Sequence, residues 1–146
     1  MSTDKTRFEE KHSTLTDVAL RAYYDVYNEL GSGFLESVYY SALESALLEA
    51  GLHVASQVPI PVYFRGRIVG EFKADLLIER RVLLELKAVN ALDRSHHAQV
   101  LNYLKSTEIE VALLLNFGAK PEFKRFLLDN EQKKIRIAPC ESVVSL

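Results

Sequence analysis

Two apolar runs separated by a short turn constrain this chain more than anything else in it. Ala74-Asp75-Leu76-Leu77-Ile78 is followed, after Glu79-Arg80-Arg81, by Val82-Leu83-Leu84-Glu85-Leu86-Lys87-Ala88-Val89. Each run reads as a buried strand. Together they carry Asp75, Glu85 and Lys87, and an ionised group in a low-dielectric interior costs several kcal/mol unless a partner offsets it. Strands that keep three such groups need a reason, and a metal site is the usual one.

Side chains alternate across a strand, so Glu85 and Lys87 project together while Leu84 and Leu86 take the other face. If Glu79-Arg80-Arg81 is a three-residue hairpin loop, Ile78 pairs with Val82 and Asp75 falls opposite Glu85 on that same face. A two-residue loop shifts the register and breaks the alignment; the chemistry favours the first arrangement. Two adjacent carboxylates repel, which raises one pKa unless a divalent cation lies between them. Mg2+, with Mn2+ as a substitute, takes oxygen ligands and keeps several waters, which suits two acids with room for a phosphate. Lys87 beside them could orient an attacking water and stabilise charge growing on that phosphate. For Glu85-x-Lys87 alone, a structural salt bridge or a solvent-facing strand end is the simpler account.

A chain of 146 residues, 48% hydrophobic, can bury an adequate core without staples, so one domain is expected over residues 13–146 behind a polar arm over 1–12. No apolar run is long enough to span a membrane, and the N-terminus lacks the apolar core of a signal peptide, so a cytoplasmic protein is expected. Cys140 is the single cysteine, which excludes an intramolecular disulfide and argues against a structural zinc site. The net charge of -2 argues against a DNA-coating protein, though not against an enzyme that meets its substrate through a bound cation.

Helical spacing of Leu15, Val18, Ala19, Ala22, Val26 and Leu30 predicts a first helix, with Ser13 or Thr14 as caps and Gly31 as the stop. Leu35, Val38, Tyr39, Ala42, Leu43, Ala46, Leu47 and Ala50 predict a second, entered through Gly31-Ser32-Gly33 and holding Glu36 in its first turn. Residues 53 to 64 predict a strand, placed at an edge by Pro59 and Pro61, and Arg65-Gly66 a turn into the next strand, 68 to 78. Strands follow over 82 to 89, 109 to 117 and 121 to 128, with a helix over 94 to 106 and one more strand in the tail containing Lys133, Lys134 and Arg136.

Glu36, Asp75, Glu85-Leu86-Lys87 and Gln99-x-x-x-Tyr103 form an ordered set. In that set, with Gly33, Glu36 and Tyr39, with His96-His97-Ala98-Gln99, and with Asn116-Phe117-Gly118, the chain resembles the GxxExxY protein family, a branch of the PD-(D/E)XK nuclease superfamily. Ala74 stands where the superfamily's naming proline does. The resemblance implies a restriction-endonuclease-like α/β fold, a mixed sheet flanked by helices. It implies Asp75 and Glu85 as metal ligands, with the carbonyl of Leu86 as a third, and Lys87 as the catalytic lysine. Glu36 would be an additional acid, and Gln99 with Tyr103 the pair that RecB-like nucleases use near the active site.

Weaker candidates surround this set. His96 and His97 are about 100° apart on a helix, so both cannot readily face one cation. Arg65, Arg67, Lys124 and Arg125 read either as solvated surface or as phosphate contacts. The tyrosines of the first two helices read as packing residues rather than base-stacking platforms. The expectation is an Mg2+-dependent nuclease acting on nucleic acid, DNA ahead of RNA, with a homodimer attractive for double-strand cutting. The rival is a nuclease-fold module, weak or inactive in cleavage, that binds nucleic acid or a protein partner.

Overall fold

A computed structural model describes residues 11–133. Most of the expected N-terminal arm, Lys134, Arg136, Cys140 and the rest of the tail beyond Lys133 lie outside the described residues; the described start of that tail is a 3-10 turn, Asn130–Gln132, rather than strand. Helices α1 (Ser13–Leu30) and α2 (Glu36–Glu49) form where apolar side chains recur every three or four residues. Neither Ser13 nor Thr14 caps α1: the helix starts at Ser13 behind a left-handed His12 (φ 55°) and has no side-chain cap. Gly31 ends it as expected, at φ 69°, its N–H on Tyr27 O at 2.8 Å. In α2 the buried stripe is Tyr39, Leu43 and Leu47, whereas Leu35 and Val38 are exposed, at 77% and 38%. Leu35 is extended, ahead of the helix, so helical spacing does not reach it.

Five strands follow: β1 (Val54–Phe64), β2 (Arg67–Ile78), β3 (Val82–Lys87), β4 (Val111–Phe117) and β5 (Pro121–Leu127), with α3 (Arg94–Lys105) between β3 and β4. They lie in the order β1-β2-β3-β4-β5. Only β3 and β4 are parallel, because α3 carries the chain back across the sheet; the other neighbours are antiparallel. Among the described residues Pro59 and Pro61 sit on an edge strand, where the missing N–H removes no central ladder bond.

The mixed sheet is covered on both faces. Helices α1 and α2 pack on Leu76, Ile78, Leu84, Leu86, Leu113 and Leu115. On the other face α3 packs through Val100, Tyr103 and Leu104 on Leu77, Leu83, Ala112 and Leu114. Strand β3 contributes to both cores, which is why it lacks the polar alternation of a one-sided strand. It stops at Lys87, two residues short of the expected end, because a side chain takes over the backbone of Val89. Asn116 accepts from Val89 N–H (3.0 Å) and donates to Val89 O (2.9 Å).

Candidate active site

The β2–β3 hairpin has the three-residue-loop register, with Ile78 opposite Val82, Leu77 opposite Leu83 and Leu76 opposite Leu84. There the ladder ends. On its other side, β2 bridges Leu76 to Ser56 and Ala74 to Val58 but skips Asp75 and Gln57, and Gln57 is left-handed at φ 51°. The alternation of faces changes phase at this point. Leu76 and Ile78 belong to the α1–α2 core, yet Ala74 joins Leu77 in the α3 core. Uninterrupted alternation, assumed from sequence, fails at Asp75 because the strand is kinked there.

The kink leaves backbone donors without ladder partners, and the carboxylates take them. Leu86 N–H donates to Asp75 Oδ2 at 2.8 Å, and Asp75 N–H donates to Glu85 Oε1 at 3.2 Å. These crossed bonds hold the two acids side by side. Glu85 Oε2 lies 3.8 Å from Lys87 Nζ, and both side chains are largely buried. Leu86 meets Asp75 through its backbone, while its side chain is sealed in the α1–α2 core.

Helix α3 supplies the second side of the cluster. Its start is set by a capping box in which Asp93 accepts from the N–H groups of Ser95 and His96 and His96 Nδ1 accepts from Asp93 N–H. One turn apart on the inward face, Gln99 Nε2 donates to the Tyr103 hydroxyl (2.9 Å), and that hydroxyl reaches Lys73 O (3.2 Å) and Glu85 Oε2 (3.3 Å). A phenol has one proton to give. Gln99 takes a lone pair, and that single proton is shared between the two acceptors in reach, Lys73 O and Glu85 Oε2.

Burial first, and then the Asp75 charge, push the Glu85 carboxyl up to about 8. Burial also raises Asp75, against the pull of the Leu86 N–H and Lys87. The Tyr103 hydroxyl is pushed above its ordinary range by burial and by Glu85 and Asp75.

Glu36 stands at the first turn of α2, exposed to solvent. Its carboxyl is raised by partial desolvation and then by Asp75, with Lys87 and His96 pulling the other way, so it lies within the field of the cluster. The loop before it is pinned by Tyr39, whose hydroxyl donates to Gly31 O (2.6 Å) and accepts from Phe34 N–H (3.1 Å). The Tyr39 ring stacks on Phe117 at 4.5 Å. Gly33, at φ 108°, adopts a backbone that a side chain would strain.

The other candidates diverge. His96 is committed to the helix cap, and His97 turns to Phe126, ring centroids 5.6 Å apart. Arg65 and Arg67 stand at the far end of the β1–β2 hairpin. Lys124 lies over the Phe126 ring, and Arg125 donates to the carbonyl of Lys11, fastening β5 to the entry of α1. Arg125 is thereby tied into the scaffold, away from the carboxylates.

Asn116 and Gly118 do more than end a strand, the only significance their sequence suggested. Asn116 clamps the loop between Lys87 and α3, and a β-carbon on Gly118 would sit 1.9 Å from Val89 O. Tyr27 donates to Gly118 O at 2.8 Å, and Tyr23 donates to Asn116 O. A buried asparagine just before a strand-ending glycine was the available signal. For Asp93 it was an acid three residues ahead of a histidine.

The donor set fits a hard cation. Two carboxylates with raised pKa values, forced together by the fold, offer oxygen ligands and a site where divalent charge can replace a proton. No group of three or more His, Cys, Asp or Glu forms a ready-made cage among the described residues. Backbone oxygen, water and substrate phosphate would complete the shell, as Mg2+ prefers.

A family model described as the PD-(D/E)XK nuclease superfamily matches residues 13–126. The crystal structure of SSO0001 is similar in fold, with a TM-score of 0.52 and 19% identity over 84% of this chain. The match covers 62% of that protein, so the chain spans less than two thirds of its length. No curated protein matches.

Proposed function

The chain belongs to the PD-(D/E)XK nuclease superfamily, and from that premise we propose that it hydrolyses phosphodiester bonds in nucleic acid with a divalent cation, DNA being the first substrate to test. The observation that carries the reading is the crossed pairing of Asp75 and Glu85 with Lys87 3.8 Å from Glu85. A buried Glu85 with the partly buried Asp75 and Lys87 on one hairpin costs stability and serves no packing need.

In this reading Asp75, Glu85 and the carbonyl of Leu86 would hold the cation. When bound, Mg2+ or Mn2+ would neutralise charge on the phosphate and acidify a water. Lys87 places its ammonium beside the carboxylates, where it orients the attacking water and stabilises charge growing on the phosphate. Gln99 positions Tyr103, and Tyr103 positions Glu85 from the helix side, so the acid is held before substrate arrives. Glu36 adds negative charge from α2, directly or through water. Gly33, Glu36 and Tyr39, with the Gln99-x-x-x-Tyr103 helix, support assignment to the GxxExxY branch.

The test is a cleavage panel of single- and double-stranded DNA and RNA with Mg2+ or Mn2+, beside Lys87→Ala. We expect metal-dependent cleavage by the wild type and a loss of roughly 100-fold or more in the variant. Equal cleavage by both would expose a contaminant. No cleavage of any substrate by the wild type would turn the reading to a binding module.

A further inference from the structure

We infer that the free end of the β1–β2 hairpin is a wedge that enters duplex DNA and grips it at a distance from the carboxylate site, on the same duplex. Beyond Leu76, β2 has no β3 partner, so the two strands continue as a ribbon to the Arg65-Gly66 turn. The base of the ribbon is anchored on α3: Val58, Ile60 and Ala74 are buried, and Phe72 meets the Tyr103 ring at 5.7 Å. Among the described residues its end packs on nothing outside the ribbon, and every residue from 63 to 69 is exposed.

That end is apolar and positive at once. Tyr63, Phe64, Ile68 and Val69 are 41%, 57%, 57% and 62% exposed. The charged residues among them are Arg65 and Arg67, with no acid, in a chain of net charge -2. The Arg65 guanidinium lies 4.9 Å above the Phe64 ring. Exposed apolar ribbon ends are aggregation hazards unless a partner uses them.

Nucleic acid matches both properties, with phosphates outside and an apolar base stack within. A two-stranded ribbon fits a DNA groove, and apolar side chains can part a base step. A single strand would be gripped by stacked rings; Tyr63 and Phe64 supply two, but Ile68 and Val69 beside them supply none, whereas parting a duplex step uses aliphatic and aromatic side chains alike, so a duplex is favoured. A symmetric contact between two copies would set Arg65 and Arg67 against themselves. From Ile68 to Asp75 the strand runs ~23 Å at ~3.3 Å per residue, or roughly seven base-pair steps at ~3.4 Å. The wedge therefore rests on the nuclease reading for its purpose and on the ribbon for its chemistry.

Binding of a DNA duplex of about 30 base pairs carrying 2-aminopurine, measured in EDTA, reads contact without cleavage. Arg65→Ala with Arg67→Ala should weaken binding about tenfold and lower the log affinity–log salt slope by about 2. Phe64→Ser with Ile68→Ser should keep that slope and lose the rise in 2-aminopurine fluorescence that unstacking produces. Unchanged thermal unfolding of both variants establishes that the fold is kept. Wild-type affinity and fluorescence in both variants overturn the wedge. So does a wild-type dimer that the variants turn into monomers with duplex binding unchanged, which assigns the ribbon end to self-association. Wild-type protein that binds as described but cleaves nothing with Mg2+ leaves the wedge standing and removes the nuclease reading; wild-type protein that neither binds nor cleaves removes both.

Discussion

Replacing Glu85 with Gln should stabilise the metal-free protein above pH 8, the opposite of what altering a buried polar network usually does. The folded carboxyl sits at about 8 against an ordinary value of 4.5. Because the folded pKa is the higher, the folded chain keeps a proton that the unfolded chain releases. The contribution is therefore fully present below pH 4.5 and is lost as pH rises through about 8. Each unit is worth ~1.36 kcal/mol, so the roughly 3.5 units between these values set a ceiling of about 5 kcal/mol. Gln is neutral throughout. Its carbonyl can accept from Asp75 N–H as Glu85 Oε1 does, and its amide can donate to the Tyr103 oxygen while that hydroxyl gives its proton to Lys73 O. Urea unfolding in EDTA from pH 4.5 to 9 should show similar stability for the two proteins at the acid end. A gap in favour of the variant should open to about 2–5 kcal/mol at pH 9. Mg2+ should then stabilise the wild type at high pH and leave the variant unmoved. A variant less stable than wild type at pH 9, or a difference that does not change with pH, would refute the argument that Glu85 is held neutral by burial beside Asp75.

Asp75→Asn should abolish stabilisation by Mg2+ in a thermal-shift titration, whereas Lys87→Ala should retain it while cleavage falls; loss of the Mg2+ response in both variants would place Lys87 in a structural role. Tyr103→Phe removes a hydrogen bond that lowers the Glu85 pKa, so the pH midpoint of Mg2+ binding should move upward, readable by calorimetry across pH, and an unmoved midpoint would detach Tyr103 from the acid. Asn116→Ala leaves Val89 N–H and C=O without their partners, so chemical unfolding should report a loss of about 2 kcal/mol. Gly118→Ala forces the Val89 backbone to move and should cost at least as much.

Between Ser13 and Leu127 the sequence by itself determined the helices and strands, the edge position of β1 among them, and the hairpin that carries Asp75, Glu85 and Lys87. Those features follow from local periodicity, proline chemistry and loop length, which neighbouring residues decide among themselves. The helix spacing of Gln99 and Tyr103 was likewise legible, since residues one turn apart share a face. Tertiary structure decided the rest. It kinked β2 at Asp75, so that carboxylates replaced a ladder and the face alternation slipped, an outcome that depends on the left-handed Gln57 in the neighbouring strand. It turned Asn116 from a strand terminus into a clamp, and Arg125 from a surface charge into a tie to Lys11. Each of these joins residues distant in the chain, and their partners become available only when the sheet and helices close around them.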